Sequence, residues 1–80
     1  MPTDDVVVET AAQAAEDTVF SAFDRSELAD LDISVQFTDG TLTVDVYIDP
    51  REDMHRADDV ADDAAAAAQA AVDELFAEES

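Results

Sequence analysis

Val8, Ala12, Ala15, Val19 and Phe23 follow one another at spacings of four, three, four and four, the rhythm that lines one side of an α-helix. Glu9, Gln13, Glu16 and Asp17 take the other side, so the pattern predicts a helix with one buried stripe and one wet face. Thr3, Asp4 and Asp5 come before it with side-chain oxygens that can cap its first turn and negative charge for its positive end. Phe20 lies off the centre of the stripe; it either folds over the helix end into the core or marks a surface on which something docks. Ser26-Glu27-Leu28-Ala29 then reads as a short helical turn, with Leu28 and Leu31 as its apolar anchors.

Strict alternation follows. Ile33, Val35 and Phe37 alternate with Ser34, Gln36 and Thr38; after Asp39-Gly40, Leu42, Val44, Val46 and Ile48 alternate with Thr41, Thr43, Asp45 and Tyr47. Asp-Gly between alternating runs predicts a β-hairpin, because both residues tolerate the positive φ of a tight I′ turn. A two-residue turn also sets the register. It places Thr38 opposite Thr41, Phe37 opposite Leu42, Val35 opposite Val44, Ile33 opposite Val46 and Leu31 opposite Ile48, so that every apolar residue meets another. A slip of one residue would send the whole set to the wrong face. The second face then pairs Gln36 with Thr43, Ser34 with Asp45 and Asp32 with Tyr47. Asp49-Pro50 is expected to stop the second strand, since Pro offers no donor to a ladder.

Arg51 to Arg56 reads as a loop or the first turn of a second helix that continues to about Glu78. Ala57, Val60, Ala61, Ala64, Ala68, Ala71, Val72, Leu75 and Phe76 share its apolar side, and Asp58, Asp59, Asp62, Asp63, Gln69 and Asp73 the other. Alanine along the buried stripe lets the helix axis approach its neighbours closely. The order helix, hairpin, helix predicts an α+β fold (α-β-β-α) of two layers, with both helices on one face of a two-stranded antiparallel sheet and residues 1–80 as a single domain.

Charge changes the picture. Twenty-two Asp and Glu stand against three Arg and no Lys, a net charge of -19 in 80 residues, and such self-repulsion destabilises a compact state unless it is screened. In ~1 M salt the Debye length falls to ~3 Å, which turns the acidic coat into a solubilising layer. Acidity, the excess of Asp over Glu and the absence of Lys together read as a protein of a salt-in halophile. A domain this small buries only about 60% of its unfolded surface, and with no Cys it has no disulfide or thiolate metal site to help. A partner chain is the remaining source of stability. With no apolar leader and no apolar run near the ~20 residues of a membrane helix, the expected location is the cytoplasm.

Candidate chemistry is sparse. Asp58, Asp59, Asp62 and Asp63 stack four carboxylates on adjacent helical turns, but a divalent-cation enzyme needs a second acidic cluster across a deep cavity, and the run reads as a solvated face. His55 would lie near Asp59 and Asp62, yet it is the single His, and neither metal nor cofactor is expected. One Gly rules out a glycine-rich phosphate loop. Direct nucleic-acid binding draws on Lys and Arg, and only Arg25, Arg51 and Arg56 are present. Arg51 and Arg56 flank one loop, where they either meet a phosphate or a partner's carboxylate or form local ion pairs with neighbouring acids. Catalysis is not expected.

The hairpin is the functional clue. Two strands alone are marginal in water, and each open edge is a row of backbone groups able to template another chain. The expected interface is therefore the hairpin edges, from Leu31 to Thr38 and from Thr41 to Ile48, with the polar face Ser34, Gln36, Thr38, Thr41, Thr43, Asp45 and Tyr47. Tyr47 suits an interface as well as it suits strand propensity.

Thr18-Val19-Phe20-Ser21, Asp30-Leu31-Asp32-Ile33-Ser34-Val35, Leu42-Thr43-Val44-Asp45-Val46 and Ala71-Val72-Asp73-Glu74-Leu75 resemble a small archaeal family of unknown function, best represented in haloarchaea. Genes of that family tend to lie near those for the prefoldin beta subunit and for the small dimerising subunit of KEOPS, the complex that installs threonylcarbamoyl groups on tRNA adenosine. The helix, hairpin, helix order is also similar to that KEOPS subunit, which carries an extra strand before its first helix where residues 1–5 leave no room for one. The resemblance implies a non-catalytic subunit pairing with itself or with the KEOPS small subunit. It leaves open a prefoldin-associated chaperone factor, and the charge leaves open an acidic mimic of nucleic acid. The charge reading predicts that the thermal unfolding midpoint rises steeply between dilute buffer and molar KCl; equal midpoints in the two contradict it.

Overall fold

The computed structural model describes residues 3–51 and 54–79, the side chains of Met54, His55 and Glu79 excepted. Its elements run α1 (Asp4–Ala22), a 3-10 turn (Arg25–Glu27), β1 (Leu28–Thr38), β2 (Thr41–Pro50) and α2 (Met54–Glu79). The two strands form one antiparallel sheet. Beneath it α1 packs against β1, α2 against β2, and the helices against each other, so both helices cover one face and the architecture is the expected α+β, α-β-β-α. The long axis of 42 Å matches the ~1.5 Å per residue rise of α2.

Thr3 caps α1, its hydroxyl accepting from the Val6 amide at 3.3 Å. The buried row of α1 is Val7, Ala11, Ala15 and Val19, continued by Phe23 just past its end, which corrects the expected stripe at its first two members: Val8 and Ala12 are only half-buried. The spacing-of-four row wins because it forms one continuous ridge for packing against a second helix. Ala57, Val60, Ala64, Ala68 and Val72 form the facing ridge on α2, and alanine dominates where the helices approach. Ala61, Ala71, Leu75 and Phe76 border that ridge half-buried, and Asp58, Asp59, Asp62, Asp63, Gln69 and Asp73 are exposed as expected. Among the described residues, no polar or charged side chain is buried.

Both residues of the hairpin turn have positive φ, Asp39 at 52° and Gly40 at 78°, the signature of type I′. The register is the one the alternation predicts, from Thr38 opposite Thr41 to Leu31 opposite Ile48. Beyond it the strands run further than the sequence suggests. Leu28 and Ala29 belong to β1 rather than to a helical turn, and the turn itself is the 3-10 segment Arg25–Glu27. The ladder shifts register between Leu28 and Asp30, so that Leu28 faces Pro50. Pro50 is thus the buried last residue of β2, tolerated because a missing donor costs nothing at a strand end.

The sheet's inner residues Leu31, Ile33, Val35, Phe37, Leu42, Val44 and Val46 pack on the helical core while half-buried, and Ile48 joins it fully. At the hairpin tip Phe37 meets Phe76 of α2, ring centroids 6.0 Å apart. Ala15 and Ala64 are both completely enclosed, so Ala64→Leu is expected to destabilise the fold by about 1–3 kcal/mol through overpacking. Urea unfolding in molar KCl measures this, and an unchanged midpoint contradicts the close helix contact.

Candidate functional site

The turn decides which backbone groups the sheet keeps for itself. In a two-residue hairpin the flanking pair, Thr38 and Thr41, exchanges both hydrogen bonds, and bonded pairs alternate with unbonded ones from there. With the observed register, the polar residues Asp32, Ser34 and Gln36 of β1 and Thr43, Asp45 and Tyr47 of β2 turn their N–H and C=O groups inward across the hairpin. The apolar residues do the reverse: their side chains point down to the helices while their backbone groups point sideways, out of the two edges.

Among the described residues, two of those outward groups are occupied. The Leu31 amide donates to the Asp30 carboxylate at 2.9 Å, and the Leu42 carbonyl accepts from the Gln69 side chain of α2 at 3.3 Å. The N–H and C=O groups of Ile33, Val35 and Phe37 on β1, and of Val44 and Val46 on β2, have no partner among the described residues. Both edges therefore present the backbone of apolar residues.

Ser34, Gln36, Thr38, Thr41, Thr43, Asp45 and Tyr47 all lie exposed on the outer face. The register brings them together in pairs, Ser34 with Asp45, Gln36 with Thr43 and Thr38 with Thr41, while Tyr47 stands beside Asp32. Tyr47 is 56% exposed. Asp30 opposes Asp49 at the far end, a like-charge pair that is unfavourable without screening.

Phe20 is not part of the core. It is 37% exposed on the flank of α1, with the Arg25 guanidinium 5.1 Å above its ring, a cation–π contact. Around it a shallow depression is lined by Glu16, Phe20, Arg25, Leu28, Asp30 and Leu31. A second runs along the same helix past Val6, Glu9, Thr10, Gln13 and Glu16. Sequence reasoning missed this trough as a unit, although the off-stripe position of Phe20 is the signal that points to it.

The other arginines serve the chain's own backbone. Arg51 donates from Nε to the Ser26 carbonyl at 3.1 Å, and its amide donates to the Glu27 carbonyl at 2.9 Å. Arg56 donates to the Ala22 carbonyl at the end of α1 and lies over the Phe23 ring at 4.6 Å. These contacts tie the β2–α2 connection to the α1–β1 connection. The grouping of His55 with Asp59 and Asp62, set aside on sequence grounds, rests on a side chain outside those described. Among the described residues, no three His, Asp or Glu side chains converge on a common point, and no helix is long and apolar enough to cross a membrane.

A small acidic α-β-β-α chain whose hairpin edges are open among the described residues is the class these features define. The chain belongs to the family described as "Protein of unknown function (DUF3194)", whose model matches residues 4–75. It is 47% identical over 75 residues to an uncharacterized protein of the haloarchaeon Natronomonas pharaonis, covering 94% of this chain and 89% of that one. No solved structure matches it.

Amide exchange tests the edge assignment on β2. In molar KCl, Val44 and Val46 amides are expected to exchange at least tenfold faster than those of Thr43 and Asp45, which donate across the hairpin. Uniform protection along β2 contradicts the assignment.

Proposed function

We propose that the protein is a non-catalytic interaction subunit of a halophilic archaeon's cytoplasm that acts by pairing its hairpin with another chain, itself or the small dimerising subunit of KEOPS. The observation that carries this reading is the pair of sheet edges whose apolar residues hold unpartnered backbone groups. Two strands are marginally stable alone, and an added strand would satisfy those groups and extend the apolar underside over more helix. The polar outer-face residues Ser34, Gln36, Thr38, Thr41, Thr43, Asp45 and Tyr47 flank those edges and would border the added chain.

The KEOPS assignment rests on family likeness: the similar helix, hairpin, helix order and the neighbouring genes. It supplies a reason for an acidic subunit with few cationic side chains, because tRNA contacts would then belong to other members of the complex. Salt at molar concentration would be needed throughout, since a charge of -19 on each copy opposes association wherever it is unscreened.

Co-expression of the tagged chain with the KEOPS small subunit, purified in molar KCl and sized by gel filtration with light scattering, tests the reading. A stable complex or a self-pair of defined mass is expected. Recovery of the tagged chain as a lone monomer, with no KEOPS component attached, overturns it.

A further inference from the structure

We infer that the outer edge of β1, together with the adjoining flank of α1, is the pairing surface, and that it accepts a second copy of this chain in an antiparallel, two-fold register centred on Ser34. This rests on the reading of the hairpin as a pairing device, and goes further in choosing the edge, the register and the occupant.

The edges differ in what already occupies them. On β2, Gln69 from α2 holds the Leu42 carbonyl and Pro50 ends the strand without a donor. On β1, among the described residues, the one bond to an outward group runs from the Leu31 amide to the exposed Asp30 carboxylate next to it. Ile33, Val35 and Phe37 keep both backbone groups available.

The edges also differ in self-complementarity. The regular ladder of β1 runs from Asp30 to Thr38, because the register shift lies between Leu28 and Asp30, and its central residue is Ser34. Turning a second copy about that centre pairs Ile33 with Val35 and Leu31 with Phe37, the residues whose backbone faces outward. Ile33 and Val35 alone then exchange four hydrogen bonds between copies. On the outer face Ser34 meets Ser34, Asp32 meets Gln36 and Asp30 meets Thr38, so no carboxylate faces a carboxylate. The same operation on the regular ladder of β2, Thr41 to Asp49, is centred on Asp45 and sets Asp45 against its own copy in the closer, unbonded type of pair. Like charges directly opposite destabilise a strand pair.

The flank of α1 continues the surface. Glu16 lines both depressions described above, so a single trough leads along α1 to Leu28 and Leu31 at the start of the β1 edge. Because α1 lies beneath β1, a strand added there brings its own α1 alongside, running in the opposite direction. Phe20 of each copy then approaches the Val6 end of the other, and these are the two large apolar side chains that α1 leaves exposed, at 37% and 40%.

The test uses the full chain, which has no Cys of its own. In molar KCl under mild oxidation, Ser34→Cys is expected to form a disulfide-linked dimer, because the central unbonded pair of an antiparallel ladder places Cα atoms ~4.5 Å apart, within disulfide reach. Asp45→Cys, the residue that a two-fold pairing of β2 would set against its own copy, is expected to remain uncrosslinked. Sedimentation of the unmodified chain should give about twice 8.6 kDa in molar KCl and the monomer mass in dilute buffer. Val35→Pro removes an outward N–H without touching a bond inside the hairpin, and should abolish the dimer while circular dichroism stays unchanged; Val44→Pro should leave the dimer intact. Crosslinking at Asp45→Cys and not at Ser34→Cys overturns the choice of edge while the pairing reading survives. A chain that stays monomeric alone but crosslinks through Ser34→Cys to the KEOPS small subunit overturns the second copy as occupant and keeps the edge. Absence of any association overturns both readings.

Discussion

The I′ turn at Asp39 and Gly40 couples two properties that could otherwise vary independently. By placing Thr38 opposite Thr41 it determines which side chains enter the core, and by the same parity it determines which backbone groups the hairpin leaves at its edges. The residues that build the core are therefore the residues that expose unpaired N–H and C=O. A shift of one residue would invert both at once, burying Asp32, Asp45 and Tyr47. The composition of the core and the set of backbone groups left at the edges are thus fixed by one short stretch of backbone, and neither can be changed without the other.

Beneath the sheet the helices solve a different problem. A core of Val7, Ala11, Ala15 and Val19 against Val60, Ala64, Ala68 and Val72 contains little bulk, so it gains from close approach rather than from large side chains, and dispersion at short range supplies what volume does not. The larger residues Phe37 and Phe76 meet at the hairpin tip, and Phe23 and Ile48 are buried in the core. The arginines reinforce the connections: Arg51 and Arg56 donate to carbonyls that the α1–β1 connection leaves unpaired. Among the described residues no carboxylate is buried, which keeps their mutual repulsion within reach of salt.

Most of this was legible in the residues because each element carries a distinct period. The hairpin register could be checked internally, apolar against apolar, and the structure follows it through Leu31 and Ile48. The helix stripe of α1 was less secure. Val7 and Val8 are equally apolar, as are Ala11 and Ala12, and only the ridge of α2 selects between them, which is tertiary information. The strand ends were misread for a similar reason: Leu28 and Ala29 have no alternation to betray them, and the bulge that admits them depends on Pro50 and on the Arg51 amide reaching Glu27. Phe20 was ambiguous until its contact with Arg25 placed it on the flank. The trough beside it joins residues from α1 and β1 that no linear pattern connects.

The account as a whole depends on the sheet being unfinished in a single copy and finished by association at β1. The most direct measurement is amide exchange followed across protein concentration in molar KCl. Protection at Ile33, Val35 and Phe37 should rise with concentration, while Val44 and Val46 stay unprotected throughout. Protection at the β1 edge that is already full in dilute solution, or that never appears at high concentration, would contradict it.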